Sequence, residues 1–327
     1  MKIIEENKGI NIVRKVLLEE AEGIINFANL LDGNVSKLIE ICAQCRGKVV
    51  ITGIGKSGHV AKKISATMSS LGTSSFYLHP AEAAHGDLGM VQKEDVVIMI
   101  SKSGETDELI QLISSLKIIG CKLVGIFCRV ESTLSKYCDF AVVIPVEKEA
   151  CINNLAPTTS TTVTMALGDA LAVALSKLND FGSKDFAVYH PSGALGKRLL
   201  LTVGMLVKRD IESVGVMSNE SVKDILWVIT RNHVGAVAVV DEKRKLKGLV
   251  TDGDVRRGLE KQDNILQCKV SEIMTEKPIS IKEDVMAIDA FCLMKERKIS
   301  VVPVIDDDNN FIGLISIHEI VESGVIG

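Results

Sequence analysis

Five short apolar runs recur between Lys48 and Val146: "KVVITGIG", "TSSFYL", "DVVIMIS", "KLVGIFC" and "FAVVIPV". Helix-length segments separate them. A strand that is apolar on both faces has to be covered on both faces, and a helix-length crossover joins its strands in parallel. The first half of the chain is therefore α/β, a doubly wound five-stranded parallel sheet. Residues from about 10 to 46 read as helical ahead of it, with apolar positions at helix spacing (Val13, Val16, Leu17, then Leu38, Ile39, Cys42). After Pro157, "TTSTTVTMALGDALAVALSKL" predicts a long apolar helix.

The texture changes around Leu206 to Glu220, and an internal repeat follows. "GLVTDGDV" (Gly248 to Val255) returns as "GLISIHEI" (Gly313 to Ile320). Each copy is preceded by an apolar strand ("GAVAVVD", "ISVVPVID") and, before that, a helix ("VKDILWVITRN", "VMAIDAFCLMKER"). Two copies of roughly 60 residues are too long and too few for a common solenoid, so a pseudo-symmetric α+β pair packing on itself is expected. The boundaries read as 1–204 for the parallel-sheet domain, 205–268 for the first copy and 269–327 for the second.

Formal net charge is −4 and no dense Lys/Arg block occurs, which argues against nucleic acid or an anionic membrane as a partner. No apolar run reads as longer than a strand, and the charged start "MKIIEENKGINIVRKVLLEE" lacks a signal-peptide core, so a cytoplasmic setting is expected. Eight scattered cysteines, with Cys121, Cys128, Cys138 and Cys292 inside apolar stretches, fit buried free thiols. Cys42 and Cys45 form one CxxC without a second pair at zinc spacing.

Ligands of a parallel sheet bind at the carboxyl ends of its strands. Two loops there are informative. Gly53-Ile-Gly55-Lys56-Ser57-Gly58 satisfies G-x-G-x-x-G, but the second strand ends in "FYLHP" where a ribose-holding acid belongs, which weakens a nicotinamide reading. A Walker A loop fails, since Val50 stands at its first glycine. The other loop, "SKSGET", offers the hydroxyls of Ser101, Ser103 and Thr106, a glycine at 104 and an acid-led helix start. Free amides at a helix start with clustered hydroxyls make a phosphate cradle that needs no metal.

Together "SKSGET", "GIGKSG", "HPAEAAHGDLGM", "KEAC", "LAPTTSTT", "GDALAVAL" and "HPSGALGKRL" resemble the arabinose-5-phosphate isomerase family, a flavodoxin-like sugar isomerase (SIS) domain followed by a pair of CBS domains. The resemblance implies interconversion of D-ribulose 5-phosphate and D-arabinose 5-phosphate, toward 3-deoxy-D-manno-octulosonate of lipopolysaccharide. A capsule or sugar-alcohol paralogue would share that chemistry, and a non-catalytic sugar-phosphate sensor is the alternative of a different class. One departure from the family stands at Lys102, where asparagine is usual; the cation there either helps hold phosphate or points into water.

The resemblance assigns catalysis to Lys56, Glu108, Glu149 and His190, and substrate contact to Ser57, Gly72, Thr73, His85, Ser101, Ser103 and Thr106. Moving a proton between C1 and C2 needs a base and a cation for the developing enediolate. Glu149, after the fifth strand, is the first choice of base, with a pKa expected to be raised by partial desolvation. Lys56 suits phosphate or enediolate, and His190 suits ring opening. No cofactor is expected; His79 is a candidate ligand for inhibitory zinc only. In the repeat, Thr251 and Asp254 match the CBS positions that hold a nucleotide or nucleotide-sugar regulator, whereas the second copy has Glu319 in place of the aspartate. The family resemblance also implies a homotetramer whose neighbouring subunits complete each site.

Overall fold

The computed structural model describes residues 6–208, 214–232, 234–261 and 264–326. The chain divides into two compact units, 1–182 and 183–327.

In the first unit all five expected strands form: β1 (Val49–Thr52), β2 (Ser75–Leu78), β3 (Val96–Ser101), β4 (Lys122–Phe127) and β5 (Phe140–Val143). They pair in parallel in the order β2-β1-β3-β4-β5. The central strands β1 and β3 are buried throughout, as their predominantly Val/Ile composition requires. The edge strands β2 and β5 are only partly covered, so the expectation of burial on both faces fails at the edges. Chain order reverses between β1 and β3, and this crossover point is where an open α/β sheet leaves a crevice at its carboxyl edge.

Helices cover both faces. The expected helical stretch from 10 to 46 is two helices, α1 (Glu6–Asn29) and α2 (Gly33–Ala43). Asp32 separates them by accepting the Asn34 amide (2.9 Å) as an N-cap. Val13 and Leu17, at core spacing in the sequence, are exposed, because α1 meets the core through Phe27 and Ile24 near its end. α3 (Gly55–Ser70) follows β1, α4 (Pro80–Ala84) follows β2, and α5 (Asp107–Ile110) and α6 (Ile113–Ile119) follow β3. α7 (Thr133–Tyr137) links β4 to β5. α8 (Thr159–Leu178) lies against α1, α2 and α3, burying Val163, Leu167, Leu171 and Leu175. Gly168 lets it approach α3 so closely that a Cβ there would collide with Ile64. By length and composition α8 could cross a membrane, which corrects the expectation that apolar runs are only strand-sized; its buried side is instead part of this core.

All eight cysteines are free. Burial, then Cys45, pushes the Cys42 thiol up to about 12, so the CxxC holds no activated thiolate. Cys292, expected inside, is exposed.

The second unit contains both copies of the repeat. One sheet orders β6 (Gly215–Met217), β7 (Ala236–Val240), β8 (Leu246–Thr251) and β9 (Thr275–Glu276); the other orders β10 (Ile281–Lys282), β11 (Val301–Ile305) and β12 (Phe311–Ser316). The expected helices occupy Val222–Asn232 and Ala287–Arg297. A shared core of Ala236, Ala238, Leu249, Val301, Phe311 and Leu314 joins the copies. The chain is also laced between them. Residues 201–203 pair with 285–287 of the second copy, through Ala287 N to Leu201 O (2.8 Å) and Val203 N to Val285 O (2.8 Å). β9, which lies beyond residue 269, returns to pair with β8 of the first copy.

Candidate active site

Both glycine loops sit at the carboxyl edge beside the crossover point. In the first, Gly53 passes so close to β3 that a Cβ would lie 3.0 Å from Ile100 O. Gly58 faces the Gly53 carbonyl, which accepts the Tyr77 hydroxyl (2.8 Å). The G-x-G-x-x-G spacing is thus accounted for by close packing of α3 on the sheet. It places Lys56 exposed in the first turn of α3 and Ser57 half-buried behind it.

The second loop is bound up in itself. Ser101 is only 3 % exposed, and its hydroxyl accepts the Gly104 amide (3.0 Å) and shares a hydrogen bond with Thr106 Oγ1 (2.8 Å). Ser103 Oγ accepts the Glu105 amide (3.1 Å). Within the loop the amides of Gly104 and Glu105 are engaged by its own serines, while the Ser103 and Thr106 side chains stay half-exposed. Gly104 has φ +68°, and a Cβ there would collide with the Ser132 side chain. The Glu105 carboxylate, accepting the Thr133 amide (2.7 Å), ties the loop to α7.

Glu149 lies where β5 runs out toward α8, and it is 1 % exposed. Its Oε2 accepts the amides of Thr158 (2.8 Å) and Ser160 (3.1 Å) at the start of α8; its Oε1 accepts the Ser160 hydroxyl (2.5 Å). Lys102 Nζ stands 2.5 Å from the same Oε1. Burial pushes the carboxyl up, but Lys102, the Ser160 hydroxyl and the two amides outweigh it and hold it down at about 2. The expected raised pKa is corrected: a helix N-terminus and an ammonium both favour the anion. The Lys102 ammonium is accordingly engaged by Glu149 rather than left pointing into water. Ser57, Ser101, Lys102, Cys128, Ser160 and Thr164 line one narrow cleft.

Glu108 is half-exposed in the first turn of α5, and His85, exposed, ends α4. His79 Nδ1 accepts the Ala81 amide (3.2 Å) as the α4 N-cap, so one ring nitrogen serves structure. Among the described residues no three His, Cys, Asp or Glu side chains gather as a metal site. Gly72 and Thr73 are not brought together with the hydroxyl loop. They precede β2 at the amino edge, a strand's length away, where Gly72 (φ +93°) abuts Phe181 and the buried Thr73 hydroxyl has no partner. His190 belongs to the second unit, its ring stacked on Phe186 with Nδ1 2.9 Å from Phe186 O. In that unit Asp254 accepts the amide and hydroxyl of Thr251 (2.8 and 2.7 Å) and pairs with Arg257. Ser316 and Glu319 repeat this cap with a longer arm. Sequence reasoning missed Ser160 and Thr158 as partners of Glu149, although the run Thr158–Thr162 at a helix start was the signal for a cap.

The SIS domain family model matches residues 43–174, and the CBS domain model matches 203–261 and 270–325. Arabinose 5-phosphate isomerase KpsF of Escherichia coli is 42 % identical over 95 % of this chain and 94 % of its own. The chain belongs to the arabinose 5-phosphate isomerase family. Arabinose 5-phosphate isomerase KdsD of Salmonella typhi is likewise 42 % identical, over 96 % of this chain and 95 % of that one. An E. coli CFT073 protein solved in complex with arabinose 5-phosphate is 42 % identical with a TM-score of 0.56; it covers 57 % of this chain and is itself covered completely. In this family member the narrow cleft is lined by the Lys102 side chain and several hydroxyls, with the buried Glu149 carboxylate held behind it by Lys102 and Ser160.

Proposed function

We propose that the protein interconverts D-ribulose 5-phosphate and D-arabinose 5-phosphate, supplying the route to 3-deoxy-D-manno-octulosonate in the cytoplasm. The near-full-length match to KpsF and KdsD carries this reading. The cleft supports it with chemistry of the required kind. Ser101 and Thr106 share one hydroxyl–hydroxyl bond, whereas Ser103, whose oxygen accepts the Glu105 amide, keeps its own proton for an outside acceptor. Half-exposed hydroxyls on a loop closed by its own hydrogen bonds suit a phosphate ester.

In the proposed reaction a carboxylate removes a proton from C1 of the open-chain ketose. The electron pair moves into a C1–C2 enediolate, with the charge on O2. The proton returns to C2 while the O1 proton passes to O2, giving the aldose. Glu149 is the assigned base, Lys56 the cation facing the enediolate, and His190 the group that assists ring opening. Base and cation both come from side chains, so no cofactor enters the proposal. The direct test is to supply ribulose 5-phosphate and identify the product. Arabinose 5-phosphate is expected, with activity retained in a chelator; formation of another pentose phosphate, or none, overturns the reading.

A further inference from the structure

Lys102 belongs to the hydroxyl loop by its backbone, between Ser101 and Ser103, with its carbonyl fixed by the Cys128 amide (3.1 Å). Its ammonium nevertheless meets Glu149 Oε1 at 2.5 Å. The two partners are unequal. Glu149 is almost fully buried, whereas the lysine side chain is 40 % exposed and so is the one able to move. Without Lys102, Glu149 would still accept the Thr158 and Ser160 amides and the Ser160 hydroxyl, so departure of the lysine leaves no bare buried charge. A phosphate dianion attracts an ammonium about twice as strongly as a carboxylate does at equal distance.

We propose that Lys102 is a positioning residue that exchanges partners, neutralising Glu149 in the free protein and turning to the phosphate ester once substrate enters the loop. The exchange leaves Glu149 a more basic carboxylate only when there is a proton to move. This inference rests on the phosphate-loop reading above. The other ionisable groups around Glu149 are the Cys128 thiol in the narrow cleft and, on the open side, Glu19 and Glu22 of α1 with Glu147 and Lys148. None of them lies on the hydroxyl loop, so none links phosphate to Glu149 as Lys102 does.

Competition for one lysine makes a signed prediction, because coupling between two sites is reciprocal. The probe is inorganic phosphate, titrated calorimetrically at pH 7 into the full-length protein and its variants. Lys102→Met is expected to weaken phosphate about tenfold, the scale of one charge-assisted hydrogen bond. Glu149→Gln frees the lysine and is expected to tighten phosphate by about fivefold or more. The double variant should match Lys102→Met alone, and Lys102→Arg should retain most of the wild-type affinity. In turnover assays Lys102→Met should also acquire an acid limb in kcat/KM that the wild type lacks, a change no packing role produces. Wild-type phosphate binding that Glu149→Gln fails to tighten, or that Lys102→Met leaves intact, overturns the exchange alone. No phosphate binding by the wild type removes the phosphate-loop reading and this inference with it. Should Lys102→Met fail to fold, the Glu149→Gln and Lys102→Arg arms decide by themselves.

Discussion

Glu149 caps the start of a twenty-residue helix and is also the base of the proposed reaction, two duties that usually exclude each other. Its placement at the carboxyl rim was readable from the strand before it. Its acidity was not, because the donors that set it lie nine to eleven residues later in α8 and 47 residues earlier at Lys102. Glu149→Gln keeps the shape and removes the proton acceptor, so turnover should fall about 100-fold or more, on the scale of lost acid–base catalysis. Steady-state assays of Glu149→Gln and Glu108→Gln check this together; collapse in the second variant alone would move the base to Glu108. The depressed pKa also bears on stability. The folded value of about 2 lies below the ordinary 4.5, so the stabilisation is complete above pH 4.5 and is lost as pH falls toward 2. It amounts to roughly 3 kcal/mol. Acid unfolding monitored by circular dichroism should therefore show a steeper loss between pH 4.5 and 2 in the wild type than in Glu149→Gln.

Among the elements, the strands were legible because short apolar runs, most of them β-branched, alternate with helix-length segments, and the hydroxyl loop was legible because three hydroxyls in six residues exceed what a cap needs. Less legible was which hydroxyls face a ligand. Ser101 ends a strand that is buried throughout, and only the closed loop shows its hydroxyl engaged by the Gly104 amide and Thr106. Cys292 was misread for a related reason: on a helix an apolar neighbourhood in sequence places only one side inward, and Cys292 falls on the other. The loop's shape hinges on Gly104, at positive φ and in contact with Ser132. Gly104→Ala should cost about 1–3 kcal/mol in strain. Its KM for the sugar phosphate should rise at least tenfold while the rest of the fold persists. Thermal unfolding alongside saturation kinetics measures both effects.

At the scale of the molecule, the break between units falls at Gly182 and Ser183, and the solved relative that corresponds to 57 % of this chain has no counterpart to the remainder. A chain ending at Gly182 should fold by itself, with a single cooperative transition and native far-ultraviolet dichroism; an insoluble product would show that the repeats are needed to support the sheet. The duplicated architecture was plain in the sequence, since "GLVTDGDV" and "GLISIHEI" each end a strand and cap a helix. The lacing was not, because β9 is only two residues long and carries no hydrophobic signature. That crossing has a consequence for biosynthesis. Residues 201–203 have no pairing partner until 285–287 leave the ribosome, and the first repeat lacks its edge until Thr275 has emerged. Neither repeat can be finished before almost the whole chain is made, whereas the sheet unit can close far earlier. The nascent protein should hence carry a folded parallel-sheet head while its tail is still an open chain.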